Sequence, residues 1–244
     1  MIGGLMTRLA VGPRGKFDVA ALESSVMLKG DHHFSRTTLA SIENTTNRGG
    51  GAFYTLEEVA ALAASAHGMG LKFHCDGARL FNAVRATGTA ASAYGAHCDT
   101  VSFCLSKGLG APVGSLLCGD AETIDLAHRY RKVLGGGMRQ AGVLAAAGLH
   151  ALGHHIEDLD RDHARAAAFR EALEGSGVVF PMESPTNILF LDVGDAAGVV
   201  ARLKDAGVLV MATGPGRIRV VFNRDVSEAD TGAAIAAFKG VLGV

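Results

Sequence analysis

The sequence predicts an α/β protein with a largely parallel sheet, followed by a small α+β unit over its last ~70 residues. Three observations lead there. Between residues 55 and 107, helical and strand-like patterns alternate, as they do when crossover helices join parallel strands. A long polar helical pattern, 155–175, then stands where the chain would pass from one unit to the next. Beyond it the order becomes strand, strand, helix, strand, strand, helix. The expected division is 1–160 for the larger unit and 161–244 for the smaller.

The elements follow in order. Gly12-Pro13-Arg14-Gly15 reads as a turn and 18–27 as a short helix. A strand is expected over 38–42, then a polar, glycine-rich loop through residue 51. Thr55 and Glu58 form a capping box that opens an Ala-rich helix ending near residues 68–70. Residues 71–75 read as the next strand, ending in Asp76-Gly77-Ala78-Arg79. Residues 101–105 form an apolar run expected to be a strand buried on both faces, and a second apolar run starts at Val113. A basic helix is expected over 121–133, a glycine break over 135–137, and an apolar helix over 140–152. The final unit reads as strands 178–180, 187–193, 208–211 and 216–222, with helices 196–206 and 227–241. Ser227 and Asp230 give the last helix its cap.

Composition narrows the function classes. With 244 residues, 48% hydrophobic and 19% charged, the chain can bury a sizeable core. A net charge of −1 gives no support to a nucleic-acid or anionic-membrane partner. No apolar run approaches the ~18 residues of a membrane span, and the start, 1–11, lacks the basic leader of a signal peptide. The four cysteines have no CxxC spacing; three lie in or beside strand-like runs, which predicts reduced, buried thiols in a cytoplasmic protein. His154-His155 has no third ligand at helical spacing and reads as a solvated helix start. Methionines and phenylalanines read as core.

The chemistry gathers around residues 100–114. There a strand breaks into Ser106-Lys107-Gly108-Leu109-Gly110, so a lysine is delivered from a strand end onto a glycine-rich turn. Ligand sites of open α/β sheets lie at such ends, and a desolvated lysine there can act as a nucleophilic amine that forms a Schiff base. Asp76 ends the neighbouring strand. A strand-end lysine and a carboxylate in one crevice match the needs of pyridoxal phosphate: the lysine holds the aldehyde as an imine, and the carboxylate keeps the pyridine nitrogen protonated. The bland alternatives are a solvated loop lysine and an aspartate that caps the following helix.

Three segments carry a resemblance: His74-Cys75-Asp76-Gly77-Ala78-Arg79, the glycine-rich run 106–114 and Gly135-Gly136-Gly137-Met138-Arg139-Gln140. They resemble the signature segments of low-specificity L-threonine aldolases, pyridoxal-phosphate enzymes of the aspartate-aminotransferase fold (fold type I). Ser41-Ile42-Glu43-Asn44-Thr45 and Arg219-Val220-Val221 match in the same order, and the likeness runs from around Gly12 to the C-terminus. It implies a partial fold-type-I large domain with a small C-terminal domain, and aldol cleavage of threonine or allo-threonine to glycine and acetaldehyde. Lys107 would be the Schiff-base lysine and Asp76 the partner of the pyridinium nitrogen. Arg79 would lie near the cofactor's phenolic oxygen and the substrate carboxylate, and Arg219 would grip that carboxylate as a bidentate fork. Arg139 and Lys132 would reach a cofactor phosphate in a neighbouring subunit, and His33 would stand near the substrate's β-hydroxyl as the candidate base. A homodimer or homotetramer with shared active sites follows from the same likeness. The family's Glu-Asn-Thr-His is here Glu43-Asn44-Thr45-Thr46, and Phe222-Asn223 replaces a polar Thr-His after Arg219. The alignment also implies that roughly 90 residues of the family's N-terminal part, with its phosphate-binding turn and ring-stacking histidine, precede the matched region. The rival readings are β-elimination or racemisation on the same frame, and a remnant without catalysis.

Overall fold

The computed structural model describes residues 3–27 and 32–244; Asp31, part of the segment around His33, lies outside them. After a short 3-10 turn at Pro13–Gly15, Asp18 caps α1 (Val19–Ser25) by accepting from the Ala21 N–H. The first sheet takes β1 (Leu39–Glu43), β2 (Lys72–Gly77), β3 (Thr100–Cys104) and β4 (Ser115–Gly119) in that spatial order. The pairs β1–β2 and β2–β3 are parallel, while β4 runs antiparallel on the edge. The crossovers are α2 (Leu56–Gly68), then α3 (Leu80–Thr87) and α4 (Ala91–Gly95). The Thr55–Glu58 capping box forms as expected. Parallel strands require such crossovers, and the apolar faces of β1, β2 and α2 meet in one core around Ile42, Leu62, Phe73 and Tyr94. Burial pushes the Tyr54 hydroxyl up to about 12 in that core, although it accepts from the Phe17 N–H.

The chain continues through α5 (Ala121–Val133), α6 (Gly142–His154) and α7 (Leu159–Leu173) to the second sheet. That sheet contains β5 (Ile188–Asp192), β6 (Met211–Gly214) and β7 (Arg217–Val221) in the order β5-β7-β6, all antiparallel, with α8 (Ala196–Asp205) and α9 (Glu228–Leu242). Its core is built on Phe169, Leu189, Leu191, Ile218 and Phe238. Helix α7 belongs to both parts: Leu159 packs in a third cluster with Leu105 and Leu109, while Phe169 and Leu173 enter the second core.

Several expectations need correction. Strand β3 is not buried on both faces; only Val101 is fully buried, because Thr100, Ser102 and Cys104 alternate onto a polar face. The 178–180 strand reduces to one bridge between Val179 and Asp192, beside two prolines that have no N–H to continue a ladder. The 208–211 strand forms later, as β6, and the helix expected over 155–175 starts only at Leu159. Cys118 is exposed, and Cys98 and Cys104 are half-buried; all four thiols are free. Met6, Met138, Met211 and Phe34 are exposed rather than core. No helix among the described residues is long and apolar enough to cross a membrane, and no group of three metal-ligating side chains occurs among them.

Candidate active site

Parallel strands end on one edge of a sheet, so their last residues share a crevice. Here Glu43 of β1 lies beside Asp76 of β2, which lies beside Ser102 of β3. Directly paired residues point to the same face, so two carboxylates converge at the carboxyl end of the sheet. Gly77 then lets the chain turn away. A Cβ there would stand 2.7 Å from the Ser102 carbonyl oxygen and 2.9 Å from Leu80 Cβ, so no larger residue fits. Asp76 does not cap α3; its Oδ1 accepts from the Ala78 N–H at 3.1 Å, and its side chain stays exposed. Arg79 occupies the N-cap position of α3 without a side-chain cap.

Lys107 leaves the same edge from β3. The loop 105–114 closes on itself: Leu105 N–H donates to Gly114 O, Ala111 N–H to Leu105 O, and Gly110 N–H to Lys107 O at 2.9 Å. Gly110 sits in the left-handed region (φ +69°), as the end of this tight turn requires. Lys107 is exposed, so the described residues do not supply the desolvation expected of it. Leu109, 2% exposed, anchors the turn in the third apolar cluster. A small cleft lies between the two turns, lined by Gly77, Ala78, Arg79, Cys104, Gly108 and Leu109.

The second sheet delivers Arg219 to this place. Its Nη1 donates to Asn47 Oδ1 at 2.9 Å, in the loop after β1, while the Asn47 N–H donates to Glu43 Oε2 at 3.1 Å. The Arg219 Nε is buried and donates to nothing described. Arg79 is half-buried, and burial first, then the nearby Arg219 charge, lower its pKa; Glu43, Cys104 and Asp76 act in the opposite direction. The Arg79 side chain makes no hydrogen bond or ion pair with a described residue. Two guanidiniums are therefore held close together with N–H donors unmet. Buried donors without acceptors are costly, and a carboxylate or phosphate oxygen would satisfy both arginines. Arg217, one pleat away, is instead neutralised by Asp192.

The structure thus brings Asp76, Arg79 and Arg219 together, with Lys107 on the adjoining turn. It does not bring the other three expected residues to this edge of the chain. His33 lies in the loop leading to the opposite, amino end of β1, stacked on His32. Lys132 and Arg139 are exposed at the α5–α6 connection, where Lys132 lines a separate cleft with His128, Arg129 and Arg131. Sequence reasoning missed Glu43 and Asn47 as parts of the site, although Glu43-Asn44-Thr45 was a visible motif. It also misread His155. That residue is half-buried at the C-cap of α6, and its Nδ1 donates to the Leu109 carbonyl at 2.7 Å. The solvated reading fails because the Lys107 turn folds back onto it.

A strand-end lysine, a strand-end carboxylate and a guanidinium pair with an orphaned buried Nε fit an anionic aldehyde cofactor of the pyridoxal-phosphate kind together with a carboxylate substrate. Comparison with known proteins points the same way. Residues 1–196 match the family described as beta-eliminating lyase. The chain is 37% identical over 255 residues to a probable low-specificity L-threonine aldolase 2 of Arabidopsis thaliana, covering 98% of this chain and 72% of that one. The chain spans only part of its relatives' length, from 72% of that Arabidopsis protein to 62% of a low specificity L-threonine aldolase of Escherichia coli, to which it is 41% identical over 214 residues, and 42% of one from Saccharomyces cerevisiae. The structure superposes on a Leishmania major threonine aldolase with a TM-score of 0.80 at 22% identity, covering 95% of this chain and 69% of that one. It also superposes on SPT with PLP internal aldimine, with a TM-score of 0.70 at 18% identity, covering 92% of this chain and 58% of that one. These likenesses establish the fold as that of the type I pyridoxal-phosphate enzymes.

Proposed function

The chain belongs to the beta-eliminating lyase family, and from that premise we propose that it cleaves a β-hydroxy amino acid of the threonine type to glycine and an aldehyde with the help of pyridoxal phosphate. The observation that carries this reading is the pair Arg79–Arg219, with unmet donors, beside the strand ends that bear Asp76 and Lys107.

When bound, the cofactor supplies an electron sink for the pair released as the substrate's Cα–Cβ bond breaks. Each residue's part follows from its place. The Lys107 amine is the nucleophile that would hold the aldehyde, and its exposure leaves it open to exchange with a substrate amine. Asp76, exposed at the strand end with Oδ2 uncommitted, would hold a proton on the pyridine nitrogen. Arg219, with Arg79 beside it, would fix the substrate carboxylate, which sets the orientation of the bond to be broken. Asn47 keeps Arg219 from swinging away. We give His33 no part in this arrangement within one chain, because its loop enters β1 from the far end.

We further propose that a second copy covers β4 and α5. Leu126, Tyr130 and Val133 form an exposed i, i+4, i+7 apolar stripe, and Leu116 and Leu117 are exposed on the edge strand β4. Lys132 and Arg139 are exposed on the same helix and the connection after it, where a partner's cofactor phosphate could meet them.

The test is the spectrum of the purified protein with pyridoxal phosphate. A visible Schiff-base band that Lys107→Ala abolishes, glycine and acetaldehyde from threonine, and a solution mass at a multiple of the chain mass are the expected results. A band that survives Lys107→Ala removes this lysine from the role. Pyruvate from serine without glycine from threonine would favour β-elimination instead.

A further inference from the structure

We propose that His155 is a positioning residue that aims Lys107 by holding the backbone of its turn, an inference that rests on the function proposed above. The Lys107 side chain makes no hydrogen bond or ion pair with a described residue. Nothing but its backbone therefore sets where the amine points. That backbone is a four-residue turn, 107–110, closed by the Gly110 N–H to the Lys107 carbonyl.

The junction between α6 and α7, together with Arg224 that pairs with it, grips this turn. His155 Nδ1 donates to the Leu109 carbonyl at 2.7 Å, fixing the peptide plane that follows the turn's third residue. Leu159, the first residue of α7, lies so close to Gly108 that a Cβ there would stand 2.7 Å from its Cδ2. Arg224 lies over Gly110, with its Cδ 2.5 Å from where a Cβ would be, and its Nη1 pairs with Asp158 at 2.9 Å. Of these, the His155 bond alone is a directional contact to the turn's backbone. An imidazole in this place must carry its proton on Nδ1, because a carbonyl can only accept. The edge of the His150 ring packs at 5.0 Å and orients the His155 ring. Leu159 also lines the cleft, but His155, His150 and Arg224 do not, so His155 acts on the chemistry through Lys107.

The experiment uses the full chain and pyridoxal phosphate itself as the probe. His155→Phe keeps a ring against His150 and loses the donor; His155→Asn keeps an N–H donor near the position of Nδ1. Condensation of the Lys107 amine with the aldehyde, which releases one water, is followed by the growth of the Schiff-base band. We expect His155→Phe to capture pyridoxal phosphate several-fold more slowly and to lower kcat about tenfold, since sub-ångström misplacement of a reacting group is enough for that. KM for threonine should stay within about twofold, because Arg79 and Arg219 are untouched. His155→Asn should return both rates to within about twofold of the parent. Should His155→Phe be insoluble, His155→Ala is measured against the same criteria. Parental capture and turnover in the donor-less variant, or an asparagine variant no better than phenylalanine, overturns the proposal. A parent without any Schiff-base band overturns both this proposal and the function beneath it, whereas a parental band with an unaffected His155→Phe overturns this one alone.

Discussion

Replacing Asp162 with asparagine should stabilise the protein at neutral pH. Asp162 lies on α7, is 1% exposed, and neither of its oxygens has a hydrogen-bond partner among the described residues. Arg165, one turn on, approaches only to 3.6 Å. Burial raises the carboxyl from its ordinary 3.8 to about 6; Arg165 and Arg224 pull it back, and Asp158 and Asp225 add to the rise. A carboxyl raised on folding holds its proton more tightly in the native state, so its contribution falls as pH climbs from the unfolded value through the folded one. From 3.8 to about 6 this amounts to about 3 kcal/mol of cost once the group is ionised. Asparagine keeps the shape and cannot ionise. The variant should therefore gain up to ~3 kcal/mol above about pH 7, read as a melting point higher by roughly 5–10 °C for a chain of this size. The advantage should vanish below about pH 4, where both side chains are neutral. Thermal melts across that range are the assay. A variant less stable at neutral pH, or a difference that ignores pH, would show that Asp162 is a charge favourably paired with Arg165, and the reasoning would fail.

Two further outcomes are expected. Arg219→Gln should raise KM for threonine so that kcat/KM falls ~10–100-fold, the worth of a charge-assisted hydrogen-bond pair, while the melting point moves little because Arg219's acceptors among the described residues are one amide oxygen, of Asn47, and the weakly accepting sulfur of Met211; steady-state kinetics with an unchanged KM would exclude the arginine from carboxylate binding. Gly110→Ala should cost about 1–2 kcal/mol from its left-handed backbone alone, with a further loss from displacing Arg224 off Asp158; an unchanged unfolding midpoint in urea would show that the turn is not held as described.

What the sequence made legible is what local chemistry encodes. The capping boxes at Thr55 and Ser227 formed as read, because the hydrogen bonds that define them span three residues. The strand ends at Asp76 and Lys107 were marked by the glycines that follow them. The largely parallel sheet and the neighbouring of the Asp76 and Lys107 strands also followed from the alternation. What remained hidden depends on the two sheets meeting. Arg79 and Arg219 were put on one carboxylate by the family resemblance alone; their facing charges arise because β7 is brought against the first sheet's edge, and no local pattern near either arginine records the other. The His155 bond spans 46 residues and joins a helix end to a turn. The polarity of β3's second face was present in Thr100 and Ser102, but a run of apolar neighbours masked its period of two.

The meeting of the two sheets has a cost, and that cost explains the site's chemistry. Two facing guanidiniums repel, and each is partly stripped of water, so the seam must hold them together against their own charge. The contacts that do so are polar and directional. Asn82 donates across the seam to Asn187 Oδ1 at 3.3 Å, and Asn187 is itself fixed within the second sheet by donating to the Phe222 carbonyl at 2.8 Å, both amides being buried. Thr186 donates to the Gly51 carbonyl at 2.9 Å, and Arg85 pairs with Asp160 at the rim. An apolar seam would tolerate a slip of an ångström; hydrogen bonds of this kind do not. The spacing of the arginines is thus set by buried amides of the seam, Asn82 at the cleft wall and Asn187 behind it, not by the long, flexible side chains themselves. An anion arriving between them removes the repulsion and adds bonds to both sheets at once. By linkage, whatever carboxylate binds there must also tighten the two halves on each other, so substrate recognition and the cohesion of the fold are the same interaction seen from two directions.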